Sequence, residues 1–220
     1  MNADMRNLKK SALDLGIDLD DRQLVLFDLY QRELLLWNTR TNLISEKTAG
    51  EIIPRHFLDS LTAVSHVAPA NARMVDIGCG AGFPGIPIKI ALPSIQLWLL
   101  ETNRKKVSFL KHIVRLLNLQ NTHALHDRTE NILRTDQWRE KFDIVISRAS
   151  LKLPALMPLG DYFLVPGGLL ITLKGTEIED EMRQAMDAGN YLKKYKINQY
   201  DIFKPVLGPP RKIIIAQKIK

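Results

Sequence analysis

Twelve residues, Met74-Val-Asp-Ile-Gly-Cys-Gly-Ala-Gly-Phe-Pro-Gly85, gather the groups with which this chain can hold a small ligand. A short apolar run ends in Asp76, and glycines follow at 78, 80, 82 and 85. The pattern predicts a buried strand, a tight turn and a helix start. Glycine has no side chain to hold a ligand off the backbone, so such a turn lets one approach closely. Downstream, Ile95-Gln-Leu-Trp-Leu-Leu-Glu101 is an apolar run closed by a carboxylate, 19 residues beyond Gly82 (101 − 82). In a βαβ unit an acid at about that distance sits at the tip of the second strand and accepts hydrogen bonds from ribose hydroxyls.

Two nucleotide-type cofactors fit these residues. Gly80-x-Gly82-x-x-Gly85 has the G-x-G-x-x-G spacing of dinucleotide sites. Asp76-x-Gly78-x-Gly80-x-Gly82 has instead the D-x-G-x-G-x-G pattern associated with S-adenosylmethionine. Charge favours the second. A pyrophosphate needs helix N-terminal amides and no anion beside them, and Asp76 would repel it. S-adenosylmethionine has no phosphate and carries a sulfonium and an ammonium, which an aspartate suits directly or through water. Glu101 serves the ribose of either cofactor.

Other polar groups fall where further strands should end. Thr129 and Glu130, in Asp127-Arg-Thr-Glu130, could meet the exocyclic amine of an adenine, although Thr129 equally suits a helix cap. Arg148 directly follows an apolar run and can fork to a carboxylate or phosphate, either the cofactor's carboxylate or the substrate backbone. Lys174, in Leu173-Lys-Gly175, could contact RNA phosphate. His56 and Asp59 lie at i, i+3 and share a helix face. For each of these the plain alternative is a solvated or salt-bridged surface residue. Cys79, the single cysteine, reads as a small residue between two glycines, with no activating histidine near it in sequence. No Cys/His cluster has metal-ligand spacing, and no base–nucleophile pair is evident, so no residue is assigned to covalent or acid–base catalysis.

The elements that must position these groups follow from periodicity. Residues 1–66 read as a helical extension. Asp20-Asp-Arg-Gln23 has the form of a capping box, Phe27, Tyr30, Leu34 and Trp37 form one buried helical stripe, and a third helix is expected over 48–66. Residues 67–220 then alternate. Strands are expected near 73–77, 95–101, 121–125, 142–147 and 168–173, and helices near 86–92, 103–118, 130–135, 153–164 and 177–188. Segments 195–203 and 212–217 read as a terminal antiparallel hairpin. Alternating βα units imply a parallel sheet covered on both faces, and five such strands plus a hairpin give a seven-stranded α/β, Rossmann-like plan. Asp76, Glu101, the 127–130 loop and Arg148 all lie at strand C-termini, where such sheets bind ligands.

Composition sets outer bounds. At 220 residues the chain holds one domain with an extension. No run approaches the ~18 apolar residues of a membrane span, and the first residues lack the apolar core of a secretory signal, so a cytoplasmic protein is expected. A net charge of +7 and a pI near 9.5 favour anionic partners such as nucleic acid. The charge is dispersed in small groups at Lys9-Lys10, Arg104-Lys105-Lys106, Lys193-Lys194 with Lys196, and Arg211-Lys212, any of which alone reads as a solvated face.

Taken together, Trp37-Asn-x-x-x-Asn42-Leu, His56-Phe-Leu-Asp-Ser-Leu61, Asp76-Ile-Gly-x-Gly-x-Gly-Phe-Pro-Gly85, Lys105-Lys106 with Phe109-Leu110, Asp127-Arg-x-Glu130, Ser147-Arg-Ala149 and Leu173-Lys-Gly175 resemble, in order and spacing, the bacterial 16S rRNA guanine-N7 methyltransferases, also called the glucose-inhibited division protein B family. The resemblance covers nearly the whole chain, and the Phe83-Pro-Gly85 continuation of the loop is its most specific part. It implies a class I S-adenosylmethionine-dependent fold and methylation of a guanine in the decoding-region loop of small-subunit rRNA. It places cofactor contacts on Gly78, Phe83, Thr129, Glu130 and Arg148, beside the readings of Asp76, Gly80 and Glu101 above. His56, Asp59, Arg148 and Lys174 become candidates for the substrate side. The partner implied is 16S rRNA or the small subunit, without membrane or metal, for a chain acting as a monomer. Competing readings are a methyltransferase of another RNA, a small molecule or a protein, a nicotinamide-dependent oxidoreductase, and a non-catalytic rRNA-binding factor on the same fold.

Overall fold

The computed structural model describes residues 2–45, 50–148, 151–189 and 191–219. Two capped helices come first. In α1 (Ala3–Leu13), the Asn2 side chain accepts from the Met5 amide at 2.9 Å. In α2 (Asp21–Thr41), Asp20 accepts from the Gln23 amide at 2.7 Å while Gln23 accepts from the Asp20 amide at 2.9 Å, which is the reciprocal box expected from sequence. Asn42 then turns the chain through a left-handed conformation.

The third helix differs from expectation. Residues 48 and 49 of the expected span lie outside the described residues. The rest is a π-helical turn, Ile53–Leu58, running into Asp59–Leu61 (together α3), followed by a 3₁₀ turn at Val64–His66. Ser60 and Thr62 bond back to the carbonyls of His56 and Asp59, competing with the regular ladder.

Alternation begins at β1 (Arg73–Ile77) and continues through α4 (Gly85–Ala91), β2 (Gln96–Glu101), α5 (Arg104–Leu116), β3 (Thr122–His126), the short α6 (Thr129–Ile132), β4 (Phe142–Arg148), α7 (Leu153–Phe163) and β5 (Leu164–Lys174). Helices α8 (Glu179–Gly189) and α9 (Tyr191–Lys194) precede β6 (Tyr195–Ile202) and β7 (Arg211–Lys218). The seven strands lie in the order β3-β2-β1-β4-β5-β7-β6, with β1 to β5 parallel and β7 antiparallel to both its neighbours. Strand β5 starts at Leu164, ahead of the expected 168. Phe142 opposes Leu164 whereas Ile144 opposes Leu169, so the strand bulges there, and Gly167 takes the positive φ of 82° that the bulge needs.

Strand residues alternate between two apolar layers. Met74, Leu97, Leu99, Ile144 and Ile146 pack with α1, α2, α3, α4 and α5. Val75, Ile77, Leu100 and Val145 pack with α7 and α8 on the other face. The strand order reverses between β1 and β4, so a crevice must open beyond their C-termini.

Candidate active site

The turn after β1 is built on left-handed backbone: Gly78, Gly80 and Gly82 have φ of 68°, 59° and 103°, a region that glycine enters without penalty. Gly78 and Cys79 donate to the Leu100 carbonyl at 2.9 and 3.3 Å, which ties the turn to the end of β2. Gly85 is constrained differently. A Cβ there would lie 2.8 Å from Asp76 Oδ2 and 2.9 Å from Leu99 Cδ2, so α4 sits against the sheet because residue 85 has no side chain.

Asp76 is fully buried, and its Oδ2 accepts from the Gly85 amide at 2.7 Å, capping α4 from the strand below it. Its Oδ1 is buried without a partner among the described residues. Burial pushes its carboxyl up to about 7, against the opposing pull of the Gly85 amide and of Arg148. Asp76 thus stands behind the glycine turn, and reaches a ligand only through that turn or through water. Cys79 is buried, and desolvation pushes its thiol well above the usual range, as expected of a structural cysteine.

Glu101 faces the crevice. Its Oε2 accepts from the Gly80 amide at 2.9 Å, and its Oε1 accepts from the amides of Thr102 and Asn103, both at 2.8 Å. The Thr102 hydroxyl also donates to Oε1, at 3.4 Å. Each carboxylate oxygen offers about two acceptor positions, so Oε1 is filled while Oε2, with the Gly80 amide alone, keeps one for another donor. The cleft it lines encloses about 660 Å³, walled by Gly78, Thr102, Lys106, Asp127, Thr129 and Glu130 among others. Thr129 and Glu130 open α6 on its far wall. The carboxylates at 101, 127 and 130 line this cleft beside the cations Lys106 and Arg128, and they suit it to hydroxyl, amine and cationic donors.

A second group forms at the end of β4. Arg148 donates from Nη1 to the Arg55 carbonyl and to Asp59 Oδ2, each at 3.0 Å, and from Nη2 to His56 Nδ1 at 2.9 Å. Asp59 also accepts from Arg211 Nε at 3.3 Å. The Arg148 guanidinium lies 4.9 Å from the centre of the Phe83 ring, on which His56 also stacks at 4.8 Å. Burial, then the cations Arg148 and Arg55, push His56 down to about 3, so the imidazole is neutral and accepts through Nδ1. Three bonds use three of the guanidinium's five N–H groups.

The structure therefore brings Phe83, His56, Asp59 and Arg148 together, and separately joins Gly78, Glu101, Thr129 and Glu130 around one cleft. Gly80 links the cleft to Glu101. Ala149 of the Ser147-Arg-Ala149 motif lies outside the described residues. Lys174 is largely buried, donating to Glu181 Oε1 and to the Leu151 carbonyl at 2.6 Å each.

Several residues that sequence reasoning left in the core or unassigned also build the site. Tyr30 donates to the Ala81 carbonyl at 2.6 Å and stacks on Phe83 at 5.5 Å. Gln23 donates to the carbonyls of Ile90 and Ala91 at 2.9 and 3.1 Å, closing the C-terminus of α4. Helix α2 thereby grips the turn and the helix behind it. The available signal was a tyrosine within an apolar stripe, since a buried hydroxyl needs a partner.

Comparison with known proteins completes the description. The sequence profile of a family described as rRNA small subunit methyltransferase G matches residues 23–204. A protein named ribosomal RNA small subunit methyltransferase G from Syntrophus aciditrophicus (strain SB) is 40% identical over 217 residues, spanning 97% of this chain and 89% of its own. One of the same name from Desulforamulus reducens is 36% identical over 214 residues, spanning 97% and 89%. Among solved structures, the O-methyltransferase from Bacillus cereus in complex with SAH superposes with a TM-score of 0.63 at 16% identity, spanning 86% of this chain and 90% of that one. Aeropyrum pernix fibrillarin with S-adenosyl-L-methionine gives 0.55 at 14% identity, over 72% of each chain. These last two likenesses are of fold.

Proposed function

The chain belongs to the rRNA small subunit methyltransferase G family, and from that premise we propose that it transfers a methyl group from S-adenosylmethionine to N7 of a guanine in the decoding-region loop of 16S rRNA. The observation that carries the cofactor reading is Glu101, held by three backbone amides, among them that of Gly80, in a cleft it lines together with Gly78. The residues present fit the cofactor. Glu101 has capacity left for a ribose hydroxyl, Thr129 and Glu130 stand where an adenine edge would lie, and the bare turn admits the methionyl tail. Bound there, S-adenosylmethionine supplies an electrophilic methyl on a sulfonium.

Guanine N7 is a lone-pair acceptor on the major-groove edge, so it gives up no proton before attack. The chain need supply no general base, and its contribution is positioning and electrostatics. The Phe83 ring, fixed between Tyr30, His56 and Arg148, forms an aromatic wall beside the turn. Arg148, two of whose N–H groups have no partner among the described residues, can orient a carboxylate or the RNA backbone. We assign the same function class to His56 and Asp59 as supports of Arg148, and to Lys174 as a substrate-side residue that must leave Glu181 to reach a phosphate. Residues 1–66 are read as an extension to a transfer domain at 67–220, in a monomeric cytoplasmic enzyme.

The test is transfer of a labelled methyl to small subunits and to naked 16S rRNA from cells lacking this enzyme, followed by mapping. Label at N7 of one decoding-region guanine supports the reading. Label at another nucleotide, or on protein alone, overturns it.

A further inference from the structure

Helix α5 carries five cations and no acid, in Arg104-Lys-Lys-Val-Ser-Phe-Leu-Lys-His-Ile-Val-Arg-Leu116. Val107, Phe109, Leu110 and Ile113 bury one face against the sheet. On the opposite face Arg104, Ser108, Lys111 and Arg115, at i, i+4, i+7 and i+11, form a straight exposed line about 16 Å long. Lys105 flanks it.

The charged groups of Arg104, Lys105, Lys111 and Arg115 have no hydrogen-bond or ion-pair partner among the described residues. Some cations elsewhere are paired, as Arg73 with Asp143 and Lys218 with Glu140. Others, such as Lys193 and Lys196, also stand without a partner among the described residues. What sets α5 apart is that its unpaired cations share one helix that holds no acid. The acid that faces α5, Glu33 of α2, is held by His112 at 2.8 Å.

Stability alone disfavours this arrangement. Arg104, Lys105 and Lys106 occupy the first turn, where the helix dipole opposes positive charge. Lys111 and Arg115 stand one turn apart, where like charges repel. A polyanion lying along the face reverses the sign of both effects. The line also starts at the cleft, since Asn103 and Lys106 at the start of α5 line it. Near its other end the Trp37 ring lies tilted against His112 at 5.2 Å and, with Leu36, Arg40 and Thr41, lines a depression of about 330 Å³.

We propose that the outer face of α5 is the track for the RNA backbone flanking the target base, with Arg104, Lys105, Lys111 and Arg115 on successive phosphates. The proposal rests on the rRNA reading above and adds the surface that holds the strand. Lys111 and Arg115 lie away from the cleft, so their loss separates RNA binding from cofactor binding.

The experiment compares the full chain, K111Q/R115Q, and a control with equal charge loss, K193Q/K196Q, whose lysines are exposed near the opposite edge of the sheet. Affinity for naked small-subunit rRNA is measured over a potassium chloride series, beside S-adenosylhomocysteine affinity and KM and kcat. In K111Q/R115Q, affinity for rRNA should fall about tenfold and the slope of log K against log salt should shrink by roughly 1.4–1.8, two phosphate contacts' worth. S-adenosylhomocysteine affinity and kcat should hold, and the control should match wild type. An unchanged slope in K111Q/R115Q, or an equal loss in the control, overturns the track while wild-type methylation stands. Wild type that binds S-adenosylhomocysteine but no rRNA overturns the functional reading itself, and the track with it.

Discussion

The two halves of the crevice are built on opposite principles. At the tips of β1 and β2, Glu101 is oriented by three amides and the Thr102 hydroxyl, and it lines an open cleft with Oε2 engaged by the Gly80 amide alone. At the tip of β4, Arg148 is bonded to Arg55, Asp59 and His56, and Asp59 is shared with Arg211. The first half holds its carboxylate mainly by backbone amides and turns it to an open cleft, where it is organised to receive a ligand. The second ties side chains to one another, Arg148 to Asp59 and His56 and Asp59 to Arg211, and works as a rigid wall. Polar residues in a crevice are therefore not interchangeable as site candidates, and what distinguishes them is whether the backbone or other side chains hold them.

The largest effect should come from breaking the wall. Asp59→Ala leaves Arg148 and Arg211 partly buried without their shared carboxylate, and should cost about 3–5 kcal/mol in unfolding free energy, read from the denaturant midpoint. A loss below about 1 kcal/mol would show that the wall is not an electrostatic unit.

Asp76 comes next, through pH. Its carboxyl titrates near 7 in the folded chain and near 3.9 when unfolded. Folding therefore favours the protonated form. That contribution is fully present below about pH 4 and is lost as pH rises through 7. Relative to Asp76→Asn, wild type should lose stability across this window, by up to about 4 kcal/mol. Parallel stability curves for the two proteins between pH 4 and 8 would refute the buried-acid account.

Glu101→Ala tests the receptive half. It should weaken S-adenosylhomocysteine binding by roughly 10- to 100-fold, about 1.4–2.8 kcal/mol, with a smaller loss of fold stability than Asp59→Ala. The reverse ranking of the two variants would erase the distinction between the halves. The smallest effect belongs to Tyr30→Phe, which keeps the ring stack on Phe83 and removes the bond to the Ala81 carbonyl. A loss of about 1 kcal/mol should appear as a raised KM for the cofactor with kcat nearly constant. Leu34→Val, lower in the same stripe, is the control that should cost stability without moving KM.

Much of this was legible in the sequence because it is local. The strand–turn–helix at 73–91, the acid closing β2 and the terminal hairpin each follow from periodicity and from glycine placed where the backbone turns left-handed. The break of α3 into π and 3₁₀ turns was not legible, because hydroxyl back-bonds compete with the helix. Nor were contacts that join distant segments: Tyr30 to Ala81, Gln23 to Ile90, and His56 to Arg148. A sequence names the donors and acceptors but not which of them meet. Lys174 shows the same limit, since its pairing with Glu181 depends on where α8 packs.

The most direct measurement is a calorimetric titration of the wild-type chain and of Glu101→Ala with S-adenosylhomocysteine and, separately, with NAD. The account predicts one S-adenosylhomocysteine per chain, clear weakening in Glu101→Ala and no heat from NAD. Binding of NAD without S-adenosylhomocysteine, or equal affinity in wild type and Glu101→Ala, would contradict it.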